Sequence, residues 1–222
     1  MGSITRGLSN NITTGGVILP AGITNASVAD VTSFANASGG TLILLSTQTA
    51  SNSANISFTS GIDSTYDEYQ FKFIDIHPRT DNVGFGFQGS TNGGSTYATT
   101  ITSSAWQAIH RETVTGSFDD FFQYSTGGDL AQSTSYQSLN EQGWGNGADE
   151  DGSGVLTIFN PSSTTYVKHF ISSVTNYTYH DYSIIQHVGG YFNTTSAVNA
   201  FDFKMTSGNF DGTIKLYGVK KS

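Results

Sequence analysis

The residues able to do chemistry fall mostly in one stretch. Between Glu112 and Val167 lie eight acids, Glu112, Asp119, Asp120, Asp129, Glu141, Asp149, Glu150 and Asp151, with no Lys or Arg among them. The run Gly147-Ala-Asp149-Glu150-Asp151-Gly152 offers several carboxylate oxygens, the donors calcium prefers, but without the spacing of an EF-hand loop. A solvated acidic loop explains it as well. Glycosidases need two carboxyls facing each other across a cleft at a set separation. Adjacent acids in a turn do not supply that, which leaves Asp119, Asp149 and Asp151 as the acids to test.

The five histidines are His77, His110, His169, His180 and His187. None forms H-x-H or H-E-x-x-H. His110, His169 and His187 sit in alternating segments, where a hydrogen-bonded strand residue is the ordinary reading. No G-x-S-x-G elbow occurs, so a hydrolase serine has no support. The chain has no cysteine, which removes disulfides, zinc thiolates and thiol nucleophiles. Gly84-Phe-Gly86-Phe-Gln-Gly89 matches G-x-G-x-x-G, but that fingerprint works only where a helix N-terminus follows to hold phosphate. Here it lies inside an alternating run. Its glycines are expected to make room beside Phe85 and Phe87 or for a close neighbouring strand. No catalytic residue, cofactor-binding residue or metal ligand is assigned. Trp106 and Trp144, with Tyr97, Tyr124 and Tyr136, could form a sugar-stacking platform, although core packing accounts for most aromatics in such a chain.

The elements that would position these groups are strands. Charged residues make up 12% of the 222 residues, well below the roughly 25% of an average domain. Twenty-nine Ser, 29 Thr and 26 Gly take their place. Fifteen Phe and 11 Tyr give the chain material to bury, which a disordered chain lacks. From Gly40 onward apolar residues alternate with polar ones. Tyr69, Phe71 and Phe73 share one face and Lys72 the other. Strands are expected at 41–45, 56–58, 69–76, 83–87, 96–103, 105–114, 154–160, 166–175, 181–188, 198–206 and 213–219. Turn signals such as Thr91-Asn92-Gly93-Gly94 and Asn160-Pro161 separate them. The core is expected to contain Phe71, Phe73, Phe201, Phe203, Ile214 and Leu216. At most a helical turn is expected, near Asp119–Tyr124 or Tyr136–Glu141. The polar stretch 115–153 reads as a functional loop or contact surface.

Two units follow: an extended N-terminal arm over 1–39, with one or two short strands, and an all-β domain over 40–222. The arm has one aromatic, Phe34, and scattered apolar residues such as Val17, Ile18 and Leu19. A net charge of −8 argues against a nucleic-acid partner, which needs a basic face. Apolar runs reach only about four residues, far short of a membrane span. Met1-Gly2-Ser3-Ile4-Thr5-Arg6 has no apolar signal region. Arg6 stands where a myristoylation signal needs Ser or Thr. The six Asn-x-Ser/Thr sequons matter only on a secretory route.

The stretch Ala200-Phe201-Asp-Phe203-Lys-Met205-Thr-Ser-Gly208-Asn209-Phe210-Asp-Gly212-Thr-Ile214-Lys-Leu216-Tyr217-Gly218 resembles the closing hairpin of virion structural proteins of tailed bacteriophages, marine ones especially. Ile56-Ser-Phe58 and Tyr69-Gln-Phe71-Lys-Phe73 look like the matching early strands, and Ile4-Thr-Arg6-Gly7 like their leader. The resemblance covers about half of the chain through turn and strand patterns. It implies an antiparallel, two-sheet, jelly-roll-like β-sandwich on a virion. It further implies a homo-oligomer, a trimer among the options, with other capsid or tail subunits as partners and no catalytic residue. The function expected is capsid decoration or a head fibre docked through the N-terminal arm. The alternatives are a tail-fibre or receptor-binding subunit that meets a host surface glycan and, from another class, a carbohydrate-binding module or glycan hydrolase.

Overall fold

The computed structural model describes residues 12–13, 16–17, 41–112 and 120–220. The chain divides into two units, 1–39 and 40–222. In the first, β1 (Ile12–Thr13) pairs antiparallel with β2 (Gly16–Val17). The reading of 1–39 as an extended arm otherwise falls outside the described residues.

The second unit is an all-β, antiparallel two-sheet sandwich with no helix among the described residues. Its strands are β3 (Leu42–Ser53), β4 (Ile56–Phe58), β5 (Glu68–Pro78), β6 (Phe85–Ser90), β7 (Ile101–Arg111) and β8 (Phe121–Tyr124). They continue with β9 (Gln137–Ser138), β10 (Gly152–Phe159), β11 (Lys168–Tyr177), β12 (Tyr182–Phe192), β13 (Ala200–Met205) and β14 (Phe210–Val219). The large sheet runs β3-β14-β5-β10-β11-β12-β7-β8 and the small one β4-β13-β6-β9. The chain steps repeatedly from one sheet to the other, as in a jelly roll.

Alternation sets the interface between the sheets. Phe71 and Phe73 of β5 with Ile214 and Leu216 of β14 point inward from the large sheet. Phe201 and Phe203 of β13 meet them from the small one, and all six expected core residues are buried. Phe203 is the hub. Its ring centroid lies 5.0 Å from Phe71, 5.4 Å from Phe73 and 6.1 Å from Phe58. Such edge and tilted pairs contribute beyond the area they bury. The register of β14 on β5 carries a bulge at Gly212, whose φ of 129° and missing Cβ let it approach the Asp75 carbonyl.

Several expected boundaries need correction. Residues 96–100 are not in a strand, and Asn92 ties the first of them, Thr96, to the preceding turn. Its Oδ1 accepts from the Thr96 N–H at 3.0 Å and its Nδ2 donates to Thr96 Oγ1 at 3.0 Å. Strand β7 then runs unbroken from Ile101 to Arg111, joining the expected segments 96–103 and 105–114; the end of the latter, 113–114, lies outside the described residues. The polar residues after Leu45 continue β3 to Ser53, because β14 offers a full partner ladder. Neither expected helical turn forms. Phe121–Tyr124 pairs with β7, and Gln137–Ser138 pairs with β6. A strand edge satisfies their backbone groups more completely than a single turn does. Asp119 lies outside the described residues.

The described part of the stretch 115–153, expected to be a functional loop or contact surface, divides in two: β8 adds an edge strand whose Phe122 is exposed, while residues 139–144 pack inward. Leu139, Asn140 and Trp144 are fully buried there. Ser125 N–H donates to the Ala105 carbonyl, and Trp144 exchanges backbone bonds with Val83.

Candidate functional site

The acids and histidines do not converge. The Glu150 carboxylate turns back and accepts from the Gly147 N–H, closing the acidic loop on itself. Its bulk fills the space beside Gly145, where a Cβ would clash with the Glu150 carboxyl carbon. His77 Nε2 lies 2.9 Å from the Gly147 carbonyl, so it ties that loop to β5. His110 and Asp120 approach to 3.7 Å on open surface. Among the described residues, no three or more His, Cys, Asp or Glu side chains are grouped to hold a metal. The glycine-rich run is strand β6. A Cβ on Gly86 would strike the Gln137 carbonyl of β9 at 2.8 Å, and one on Gly89 would strike Phe192 and Val198. These glycines allow close packing, as expected.

The aromatic platform comes apart. Trp144 is fully buried against Phe85. Tyr136 donates its hydroxyl to Asp202 at 2.7 Å and carries the Lys204 ammonium 4.0 Å from its ring centre. Burial first, and then the bond to Asp202, push the Tyr136 hydroxyl far above its ordinary value. Tyr97 is partly buried. Trp106 and Tyr124 remain together as direct cross-strand partners on the outer face of the large sheet.

That outer face is where exposed apolar side chains gather. Phe122 is 68% exposed and Ile171 56%. Around Trp106 the rings form a ridge. His187, opposite it on β12, stacks with centroids 4.1 Å apart and planes at 20°, and Phe122 of β8 lies 4.9 Å away. The Tyr124 hydroxyl donates to Asp129 at 2.5 Å, and that bond pushes its ionisation up.

Two residues along β12 from His187 stands Gly189, and two further stands Tyr191. Alternation puts all three on the outer face. Gly189 lies between Ile171 on β11 and Ser104 on β7. A Cβ built on it would meet nothing within 4 Å. Beyond it, Tyr191 faces His169 across the strands, with ring centroids 5.7 Å apart. The result is a groove of about 630 Å³ with Gly189 in its floor. Phe159, Ile171, His169 and Tyr191 wall it, with Thr102 and Ser104 on the β7 side. Among the described residues, no Lys, Arg, Asp or Glu lines it.

Comparison with known proteins brings no match to a protein-family model and none to a curated protein.

Of the residues expected at an aromatic site, Trp106 and Tyr124 are in place, while Trp144, Tyr136 and Tyr97 are elsewhere. Gly189, Tyr191, His169, His187 and Phe122 were missed. The signal was present in His187-Val-Gly189-Gly-Tyr191-Phe192. Its alternation continues through the glycine pair, which reads as a turn when the strand is stopped at 188.

Proposed function

We propose that this chain is a non-catalytic structural protein of a virus particle, a capsid-decorating or head-fibre subunit. The sandwich is displayed, and residues 1–39 anchor it to neighbouring capsid or tail subunits. The observation that carries this reading is the outer face of the large sheet. The interior is closed by its own side chains, yet Trp106, Phe122, Ile171 and Ile185 stay substantially uncovered. Exposed apolar side chains gathered on one sheet face mark a contact surface. The resemblance adds support, because the segments that carry it are β4, β5, β13 and β14, which meet at the Phe203 hub. The groove beside the patch favours a variant of the same reading, a tail-fibre or receptor-binding subunit.

The test is deletion of residues 1–30. The truncated protein should keep its β-type circular dichroism and its unfolding transition, and should no longer be incorporated into particles. Normal incorporation of the truncated chain sinks the anchoring role. Saccharide cleavage that disappears on mutating Asp119, Asp149 or Asp151 would overturn the non-catalytic reading.

A further inference from the structure

We infer that the groove floored by Gly189 binds a short stretch of a neutral oligosaccharide. The argument starts from the floor. Mid-sheet backbone on β7, β11 and β12 is already paired on both sides, so an extended peptide finds no free edge to extend. The trough is open along the sheet, whereas a lipid chain calls for an enclosed apolar cavity. What the walls offer is alternation. Phe159, Ile171 and the ring of Tyr191 present apolar surface. Thr102, Ser104, the Tyr191 hydroxyl and the His169 imidazole present polar atoms around it. A sugar ring has the same division, with C–H groups on its faces and hydroxyls at its rim.

Charge narrows the class. Among the described residues no ionised carboxylate or ammonium lines the groove, and the chain carries a net −8. An acidic polysaccharide would be repelled and would find no lysine or arginine to pair with, so the ligand is uncharged. Length sets the scale. His187 and Tyr191 are four residues apart on one strand, roughly 13 Å. The His169–Tyr191 pair lines the groove, and the stacked His187–Trp106 pair continues the same open face outside its lining. That span suits a few sugar units rather than a single ring held on all sides.

Gly189 supplies a clean test. It is in ordinary strand backbone, absent from the positive-φ residues, and a side chain there points into open space. Gly189→Val should therefore fold as well as the parent, since β-branched residues favour strands, while filling the trough. The probes are cello-, malto-, manno- and xylo-hexaose, with an oligogalacturonate as the acidic comparator. They are titrated calorimetrically into the purified 222-residue protein, Gly189→Val and Tyr191→Ala. At least one neutral hexaose should bind the parent. Its affinity should fall about tenfold or more in both variants, a loss of roughly 1.4 kcal/mol, with the thermal midpoint of Gly189→Val not lowered. Binding to none of the neutral probes, preference for the oligogalacturonate, or undiminished binding in the folded variants would overturn the proposal. A shift in the sedimentation of Gly189→Val with unchanged sugar affinity would overturn it too, by assigning the groove to contact between copies. These measurements need no particle, so the inference stands or falls apart from the proposed anchoring.

Discussion

The inner face of the large sheet is built in two ways, and the difference follows from what covers it. Over β5 and β14 the cover is another sheet. There the packed residues are Phe58, Phe71, Phe73 and Phe203, ring against ring. Across β7, β11 and β12 the small sheet still covers Phe170 and Phe192 through Phe87 and Phe201, but around Gln107, Asn176 and Gln186 the cover is the segment after β8, a largely irregular chain. A loop brings unpaired amides and carbonyls into the interior, and each needs a partner. The sheet answers with polar side chains. Gln186 and Gln107 are directly paired across β12 and β7, and both are fully buried. Gln186 Oε1 accepts from the Glu141 N–H at 2.7 Å. Ser103 Oγ donates to Gln137 Oε1 at 2.6 Å, and Asn140 donates to Asn176. A strand-covered core can be apolar; a loop-covered core must carry amides.

The largest effect should come from the phenylalanine end. Phe203→Ala removes the ring that five neighbouring phenylalanines touch or approach. It should lower the unfolding free energy by about 3–5 kcal/mol in urea denaturation. A loss under about 1 kcal/mol would mean the two sheets do not depend on this hub.

The amide end should respond according to whether each amide is used. Gln186→Ala leaves the Glu141 N–H of a half-buried residue without its partner, and should cost about 1–3 kcal/mol. Gln107 is different, because neither its Nε2 nor its Oε1 finds a partner among the described residues. Gln107→Leu keeps the volume and removes two unsatisfied groups, so stability should hold or rise, within about 1 kcal/mol. Both are read by the same denaturation experiment. Equal losses at the two positions would break the comparison, because a loop-covered core would then need every amide it holds.

The same contrast explains what could be read from the sequence. Period-two alternation exposed the strands and the six core residues between the sheets, because both covers there are regular. Within 115–153 the inward packing of Gln137, Asn140 and Trp144 was not legible, since an irregular segment has no period and these residues look like surface polar and aromatic types. Trp144 illustrates the point. Local context points the wrong way: Trp106 lies in an expected strand and Trp144 in a polar stretch, yet Trp144 is fully buried and Trp106 stands on open sheet. The groove was hidden for a related reason. Its defining residue, Gly189, acts through the side chain it lacks, and its walls come from four strands whose order is set by long-range pairing.

One polar cluster at the phenylalanine end sits on the exposed rim, where it should matter least. Arg79 Nε lies 2.8 Å from Asp211 Oδ2, and its Nη2 donates to Asp211 Oδ1 at 3.0 Å. The Asn52 N–H donates to the same Oδ1 at 2.8 Å. The Arg79 side chain is 51% exposed, so solvent screens the pair, and Arg79→Ala should cost only about 0–1 kcal/mol at neutral pH. The pH dependence has a definite sign. The hydrogen bond from Arg79 first, then the Asn52 amide and the positive charge of Arg79, hold the Asp211 carboxyl below its ordinary value of 3.8, against a smaller opposing effect of burial. A carboxyl depressed in the folded state stabilises fully above its unfolded value and loses that contribution as the pH falls through its folded value. The difference between the parent and Arg79→Ala should therefore be constant from neutral pH down to the unfolded value and shrink below it. Urea denaturation of both proteins at pH 7 and at about pH 2 measures this. If the difference persists undiminished in acid, Arg79 acts through the packing of its stem rather than its charge. If it exceeds about 2 kcal/mol at neutral pH, the rim is not screened and the separation between costly buried polarity and inexpensive exposed polarity fails.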